Sequence, residues 1–158
     1  MRMPARPAAA FAFALAAYTA VVAWPSGAHA LPGGEPAIPL NNEQETTGAT
    51  GGGSGFFTYA IDGSELCYTL DVSNLTMAPF AAHIHPGERN TAGPVAVGLL
   101  TPPAATSTVS ECITAVEGAT GPALSTSELA AIAVDPRAFY VNVHTNNFPG
   151  GEVRGQLK

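Results

Sequence analysis

The chain has 158 residues, of which 46% are apolar and 11% are charged, with 17 glycines, 14 prolines and two cysteines. This composition excludes a charge-rich disordered chain, a collagen and a disulfide-dense miniprotein, and the length suits one domain. The formal charge is −6 and the chain has only six lysines and arginines. These are too few for the basic patch that binds phosphate backbones, so we exclude a nucleic-acid partner.

Residues 1–30 have the parts of a secretory signal. Arg2 and Arg6 precede an apolar run over residues 8–23, and the segment ends in Ala28-His29-Ala30. A basic start, a short apolar middle and a small-x-small end predict cleavage after Ala30. An uncleaved anchor is the alternative, although the run is short for a bilayer span. We expect a secreted protein, or one of the periplasm or cell envelope, without membrane contact after cleavage.

The predicted mature chain begins with a segment that is rich in glycine and proline. Residues 31–55 contain three prolines and end in Gly-Gly-Gly-Ser-Gly. Such a sequence buries little apolar surface, so it predicts a flexible arm before a domain over residues 56–158. Cleavage would leave four basic and twelve acidic residues, which makes this domain acidic.

From residue 56 onward the pattern is one of short strands that are separated by turns. Alternation and β-branched residues predict seven strands, over residues 56–61, 66–72, 81–85, 95–100, 109–116, 139–145 and 152–157. One short helix is predicted after Ser125 as N-cap, with Glu128 three residues on and Asp135-Pro136 at its end. The fold class is therefore all-β: an antiparallel Greek-key β-sandwich, immunoglobulin-like or Cu/Zn superoxide dismutase-like, with one short helix.

Both cysteines, Cys67 and Cys112, lie in the predicted domain. An exported chain with an even number of cysteines usually pairs them. Such a bridge would close a loop of about 46 residues and stabilise the fold by roughly 4 kcal/mol. Two buried free thiols are the alternative, and a cysteine-ligated metal has no second ligand at motif spacing.

Three histidines of the predicted mature chain fall on strands. His83 and His85 share one face of their strand, and His144 shares a face with Tyr140 and Asn142. If the two strands are neighbours, three imidazoles meet, and imidazole suits copper and zinc, with copper bound more tightly. The histidines could instead be hydrogen-bonded framework residues. A metal site predicts that affinity falls as the pH drops through the histidine range near 6.5.

Four further residues are candidates to orient the histidines. Tyr140, Asn142 and Glu152 are predicted to hydrogen-bond around them, and Arg154 shares a strand face with Glu152. A structural salt bridge is the default expectation for the pair Glu152 and Arg154. Glycine motifs for phosphates or dinucleotides, a serine-hydrolase elbow and a zinc-protease motif are all absent from the sequence.

Several of these segments together resemble the chordin-type (CHRD) domain. They are HIHPG at 83–87, GPV at 93–95, YVNVHT at 140–145 and PGGEVRGQL at 149–157. The resemblance spans about residues 56–158 and implies a β-sandwich module of exported proteins. It implies no settled biochemical activity, and no growth-factor binding, because the neighbouring modules of chordin are absent from this chain.

A more distant likeness is to Cu/Zn superoxide dismutase. The segment His83-Ile84-His85 is similar to its copper-ligand strand, and Val141-Asn142-Val143-His144 resembles its late ligand strand. The likeness implies that His83, His85 and His144 match three copper ligands. The bridging histidine and the zinc ligands have no counterparts here, and Arg154 is only a candidate for the catalytic arginine. The likeness thus favours binding without turnover.

Three functions remain from the sequence. The first is an exported metal-binding domain, with copper favoured over zinc and His83, His85 and His144 as ligands. The second is an extracellular interaction or structural module that contacts a protein or another envelope partner. The third is a copper-dependent, dismutase-like enzyme, and on balance we expect a protein without catalytic residues.

Overall fold

A computed structural model describes residues 37–158 of the chain. The predicted signal segment and the first residues of the predicted arm lie outside this range. The described part contains eight strands and one α-helix, α1 (Thr126–Val134). The strands are β1 (Ile38–Asn41), β2 (Ser54–Asp62), β3 (Glu65–Ser73), β4 (Ala81–Pro86), β5 (Val97–Leu99), β6 (Ser107–Thr114), β7 (Phe139–His144) and β8 (Val153–Gln156).

The all-β fold with one short helix is confirmed. The strands β2 to β8 correspond to the seven predicted strands, with ends that differ by a few residues. The helix begins after Ser125, whose side chain accepts a hydrogen bond from the Glu128 backbone while the Glu128 carboxylate bonds back to the Ser125 backbone. No helix in residues 37–158 has the length and hydropathy to cross a bilayer.

Part of the segment that the sequence predicts to be a flexible arm is ordered in the structure. Residues 38–41 form β1, which lies inside the sheet between β8 and β2. Ile38 and Leu40 are almost fully buried in the core. The apolar residues on either side of Pro39 therefore supply enough buried surface to order the segment, and the domain begins well before residue 56.

All strand pairs are antiparallel and follow the order β5-β4-β7-β8-β1-β2-β3-β6. The sheet curls, so that strands near the two ends of this order meet: Leu100 after β5 donates its backbone N–H to the hydroxyl of Tyr68 on β3. One continuous core fills the curl; its larger members include Phe57, Leu66, Tyr68, Leu70, Ile84, Leu124, Ile132, Val141, Val143 and Val153. The strands β1 and β8 join the two halves of the sheet, yet only Asn41 and Arg154 are register partners between them.

The predicted disulfide between Cys67 and Cys112 is confirmed. The two residues are register partners on the neighbouring strands β3 and β6. The bridge therefore links the outermost strand of one half to the rest of the sheet, across a sequence separation of 45 residues.

The strand β7 is buried on both faces. Phe139, Val141 and Val143 pack in the core, as alternation along the strand predicts. The opposite face carries Tyr140, Asn142 and His144, and the segments at residues 86–94 and 145–151 cover it. A buried polar face of this kind is unusual, because each polar atom on it needs a partner.

Candidate metal centre

The structure brings the three histidines of the described chain together on this polar face. His83 and His85 lie on β4, next to β7, which ends at His144. In the register, His83 is the partner of Asn142 and His85 the partner of Tyr140, so these side chains share one face. One nitrogen from each imidazole lies within 4.8 Å of the other two. This distance is short enough for the three rings to share a single cation.

Two of the imidazoles are oriented by backbone carbonyls. Nδ1 of His85 lies 3.0 Å from the carbonyl oxygen of Gly93 and 2.9 Å from that of Pro94. Nδ1 of His144 lies 3.0 Å from the carbonyl oxygen of Pro149. A carbonyl only accepts, so both Nδ1 atoms carry the proton and both Nε2 atoms keep a lone pair. This is the arrangement that orients a histidine as a metal ligand.

The remaining nitrogens face one another. Nε2 of His85 is buried and makes no hydrogen bond within the described structure. Nε2 of His144 lies 3.0 Å from Nδ1 of His83. Because Nδ1 of His144 carries the proton, Nδ1 of His83 is the donor of this hydrogen bond. His83 is half-buried, while His85 and His144 are buried. The cluster therefore meets solvent on the side of His83.

The three imidazoles are neutral at neutral pH. The pKa of His83 is lowered from 6.5 to about 4, mainly by burial and in addition by the neighbouring His144 and His85. Burial also lowers the pKa of His85 and that of His144. Neutral imidazole is the form that binds metal ions. The sequence predicts that protons compete with a metal ion for the imidazoles near pH 6.5. Because the pKa values are lowered, we expect this competition at a lower pH.

Tyr140 and Arg154 support the cluster from one side. The Tyr140 ring is stacked on the His85 ring, with 4.9 Å between centroids and 6° between planes. The Arg154 guanidinium lies 3.3 Å from the centroid of the Tyr140 ring. Because β7 lies between β4 and β8, the tyrosine separates the arginine from the imidazole. Arg154 is 1% exposed, so its guanidinium is not open to direct contact by a ligand at the histidines, although its charge contributes to the lowered pKa of His85.

Asn142 lies at the centre of the polar face, beside a residue that the sequence did not indicate. Oδ1 of Asn142 and Oε1 of Glu45 are both buried without a hydrogen-bond partner in the described structure. Burial raises the pKa of the Glu45 carboxyl to about 7, although the charge of Arg154 and the amide of Asn142 favour the ionised form. One of three glutamates in a glycine- and proline-rich segment carries no signal for such a position.

The Glu45 carboxyl packs against the backbone of Gly151. This glycine has a φ of +129°, and a Cβ atom there would collide with the carboxyl of Glu45 and lie 2.8 Å from the amide nitrogen of Asn142. Only glycine combines this backbone conformation with the close approach.

The expectation that Glu152 orients the histidines is wrong. Its fully buried carboxylate accepts hydrogen bonds from the backbone N–H of Thr76 at 2.6 Å, the hydroxyl of Thr76 at 2.8 Å and the hydroxyl of Thr145 at 2.6 Å. These three hydrogen bonds occupy both carboxylate oxygens. Glu152 therefore anchors the segment after β3 to the end of β7. The default salt bridge is also not formed, because the guanidinium of Arg154 donates to the carbonyls of Glu88 and Thr91.

Comparison with known proteins identifies one family. The CHRD domain family matches residues 37–157, which include β1 and both histidine-bearing strands. The match covers most of the chain, so the protein belongs to the CHRD domain family. No curated protein and no solved structure matches the chain.

Proposed function

We propose that this CHRD domain protein binds a transition-metal ion through His83, His85 and His144. The observation that carries the proposal is the convergence of three nitrogens within 4.8 Å of one another, on rings that burial keeps neutral. A buried imidazole nitrogen without a partner, such as Nε2 of His85, loses the solvation of its lone pair. A metal ion would restore a bond to this atom.

The hydrogen bonds indicate which atom each ring would offer. His85 and His144 would bind through Nε2, since their Nδ1 atoms are held by carbonyls. His83 would bind through Nδ1, which faces His144. An all-nitrogen set suits copper and zinc, and with equal ligands copper binds more tightly. We therefore favour copper.

The position of Arg154 supports binding rather than dismutation. A cation that guides an anionic substrate to a metal has to be exposed beside it, whereas Arg154 is buried behind Tyr140. Its donors are also occupied by backbone carbonyls. We infer no catalytic role for Arg154 or for the other residues that surround the histidines in the described structure.

We also propose that the protein is exported. The predicted signal over residues 1–30 supports this proposal, as does the disulfide, because such bridges persist in oxidising compartments. The family match supports it further, since CHRD domains occur in extracellular proteins.

A second candidate function is an interaction module without metal. One observation favours it: Phe80 is 52% exposed and its ring centroid lies 6.1 Å from that of His144. An exposed aromatic ring is a common anchor for a protein partner. In this case the histidines would serve as a hydrogen-bonded framework beneath the contact.

Titration of the purified protein with Cu(II) and with Zn(II) tests the metal proposal. We expect one equivalent to bind, and the double variant His83→Ala/His85→Ala to lose affinity by more than about 100-fold. Asn146→Ala is the matched control, because Asn146 is exposed and lies two residues from His144. Circular dichroism shows whether each variant is folded.

Two results would contradict the proposal. One is equal affinity of the native protein and a folded double variant. The other is a Cu(II) spectrum of the native protein without nitrogen ligands. Loss of a protein partner on Phe80→Ala, with no metal bound by either protein, would instead favour the interaction module.

A further inference from the structure

The basic residues of the described chain are gathered in one place. Arg89 follows β4, Arg137 lies in the short 3-10 helix before β7, and Lys158 follows β8. Arg154, the one remaining lysine or arginine of residues 37–158, lies on β8. Three of the four line a cleft of about 430 Å³, whose lining residues are Arg89, Arg137, Gln156, Leu157 and Lys158. The lining contains no acidic residue, although acidic residues outnumber basic ones two to one in the chain.

The two arginines at this cleft make no ion pair within the described residues. Within residues 37–158, the guanidinium groups of Arg89 and Arg137 form no salt bridge and no side-chain hydrogen bond. Arg154 differs, because its guanidinium is used by the carbonyls of Glu88 and Thr91. The donors of Arg89 and Arg137 therefore remain available to a bound group.

The backbone that carries the two arginines is held in place. Arg154 bonds to the carbonyls of Glu88 and Thr91, on either side of Arg89. The side-chain amide of Gln156 lies 2.7 Å from the carbonyl oxygen of Gly87 and 2.7 Å from that of Arg137. One buried guanidinium and one amide thus fix the turn and the 3-10 helix against β8. The backbone of the cleft is therefore part of the fold, and the exposed side chains of Arg89, Arg137 and Lys158 extend from it.

Gathering cations in an acidic domain has an electrostatic cost. The nearby charge of Arg89 adds to the effect of burial in lowering the pKa of Arg154. A ligand with negative charge would offset this repulsion. The guanidinium fork presents paired N–H donors that match the oxygens of phosphate, sulfate or carboxylate.

We propose that the cleft binds a small oxyanion, with a phosphate group shared between the guanidinium groups of Arg89 and Arg137 and the ammonium of Lys158 at the rim. The phosphate could be a free ion or the end of a phosphate ester. The site is distinct from the three histidines, none of which lines the cleft.

NMR titration of the metal-free protein tests the proposal, with inorganic phosphate in one arm and glycerol 3-phosphate in the other, at constant ionic strength. We expect saturable shifts of the backbone amides of Arg89 and Arg137. We expect the variant Arg89→Gln/Arg137→Gln to bind at least about 10-fold more weakly. Tighter binding of the free ion or of the ester identifies the source of the group, and either result supports the site.

The matched control keeps the cleft and changes the net charge by the same amount. Ala104→Glu/Thr120→Glu adds two negative charges at exposed loop positions, and it should keep the affinity within about threefold because salt screens distant charges. His83→Ala/His85→Ala should bind phosphate as the native protein does, so the metal proposal can fail without this one. Non-saturating shifts, or equal weakening by the two charge variants, would overturn the oxyanion site.

Discussion

Replacement of Glu45 by glutamine tests whether a buried carboxyl on the polar face destabilises the protein at high pH. The pKa of Glu45 is about 7 in the folded protein, compared with 4.5 for a glutamate in water. Because the folded value is raised, the stabilising contribution of the protonated form is complete below pH 4.5 and is lost as the pH rises through 7. At pH 8 the folded protein therefore holds a carboxylate that burial disfavours.

The size of the effect follows from the shift. Each pKa unit corresponds to about 1.4 kcal/mol, so full ionisation costs at most about 3 kcal/mol. Solvent screening of the partly exposed side chain reduces this to about 1–2 kcal/mol. Glutamine keeps the shape without the charge. We expect Glu45→Gln to be more stable than the native protein by about 1–2 kcal/mol at pH 8 and nearly equal to it at pH 5.

Urea unfolding followed by circular dichroism at the two pH values measures this difference. Titration of the histidines affects both proteins alike and cancels in the comparison. Glu43→Gln is the control, because Glu43 is exposed and lies two residues away, and its effect should be the same at both pH values. A difference between native protein and Glu45→Gln that does not change from pH 5 to pH 8 would refute the reasoning.

Three further predictions follow from the contacts of the fold and the site. Cys67→Ala/Cys112→Ala should lower the free energy of unfolding by about 2–4 kcal/mol, because the bridge no longer restricts the unfolded chain; a loss below about 1 kcal/mol in urea would count against this. Glu152→Gln should lower it by about 2 kcal/mol, since an amide offers one accepting oxygen to three donors, and unchanged urea midpoints would contradict it. Metal affinity should hold from pH 7 to pH 5 and fall toward pH 4, where His83 gains a proton; a titration in which affinity falls near pH 6.5 would disagree.

The strands β2 to β8 and α1 could be predicted because their sequences follow local rules. Alternation along β3 and β7 and the capping residues Ser125 and Glu128 specify structure within a few positions. The strand β1 could not, because Pro39 interrupts its only apolar residues and a proline normally argues against an internal strand. The structure accommodates Pro39 because β1 has only one register partner on β8, so few backbone hydrogen bonds are needed on that side. Only the packing of Ile38 and Leu40 in the core decides this assignment.

The histidine cluster could be predicted for a similar reason. The spacing of His83 and His85 places both on one face, and antiparallel pairing of β4 with β7 adds His144. The surrounding residues depend on which loops cover that face. Glu45 arrives there from a segment without a regular pattern, and Glu152 turns to Thr76, which lies in a loop. Such contacts join distant parts of the chain, so local periodicity does not reveal them.

The position of β1 and β8 in the sheet has a consequence for how the protein opens. These two strands, the first and last of the described chain, form the junction between the halves β2-β3-β6 and β5-β4-β7. A single register pair, Asn41 with Arg154, spans that junction, so cohesion there depends on side-chain packing more than on a ladder of backbone bonds. We expect the seam to exchange its amide hydrogens before either half does. A nascent chain that still lacks residues 153–156 would hold two half-sheets with no strand to unite them.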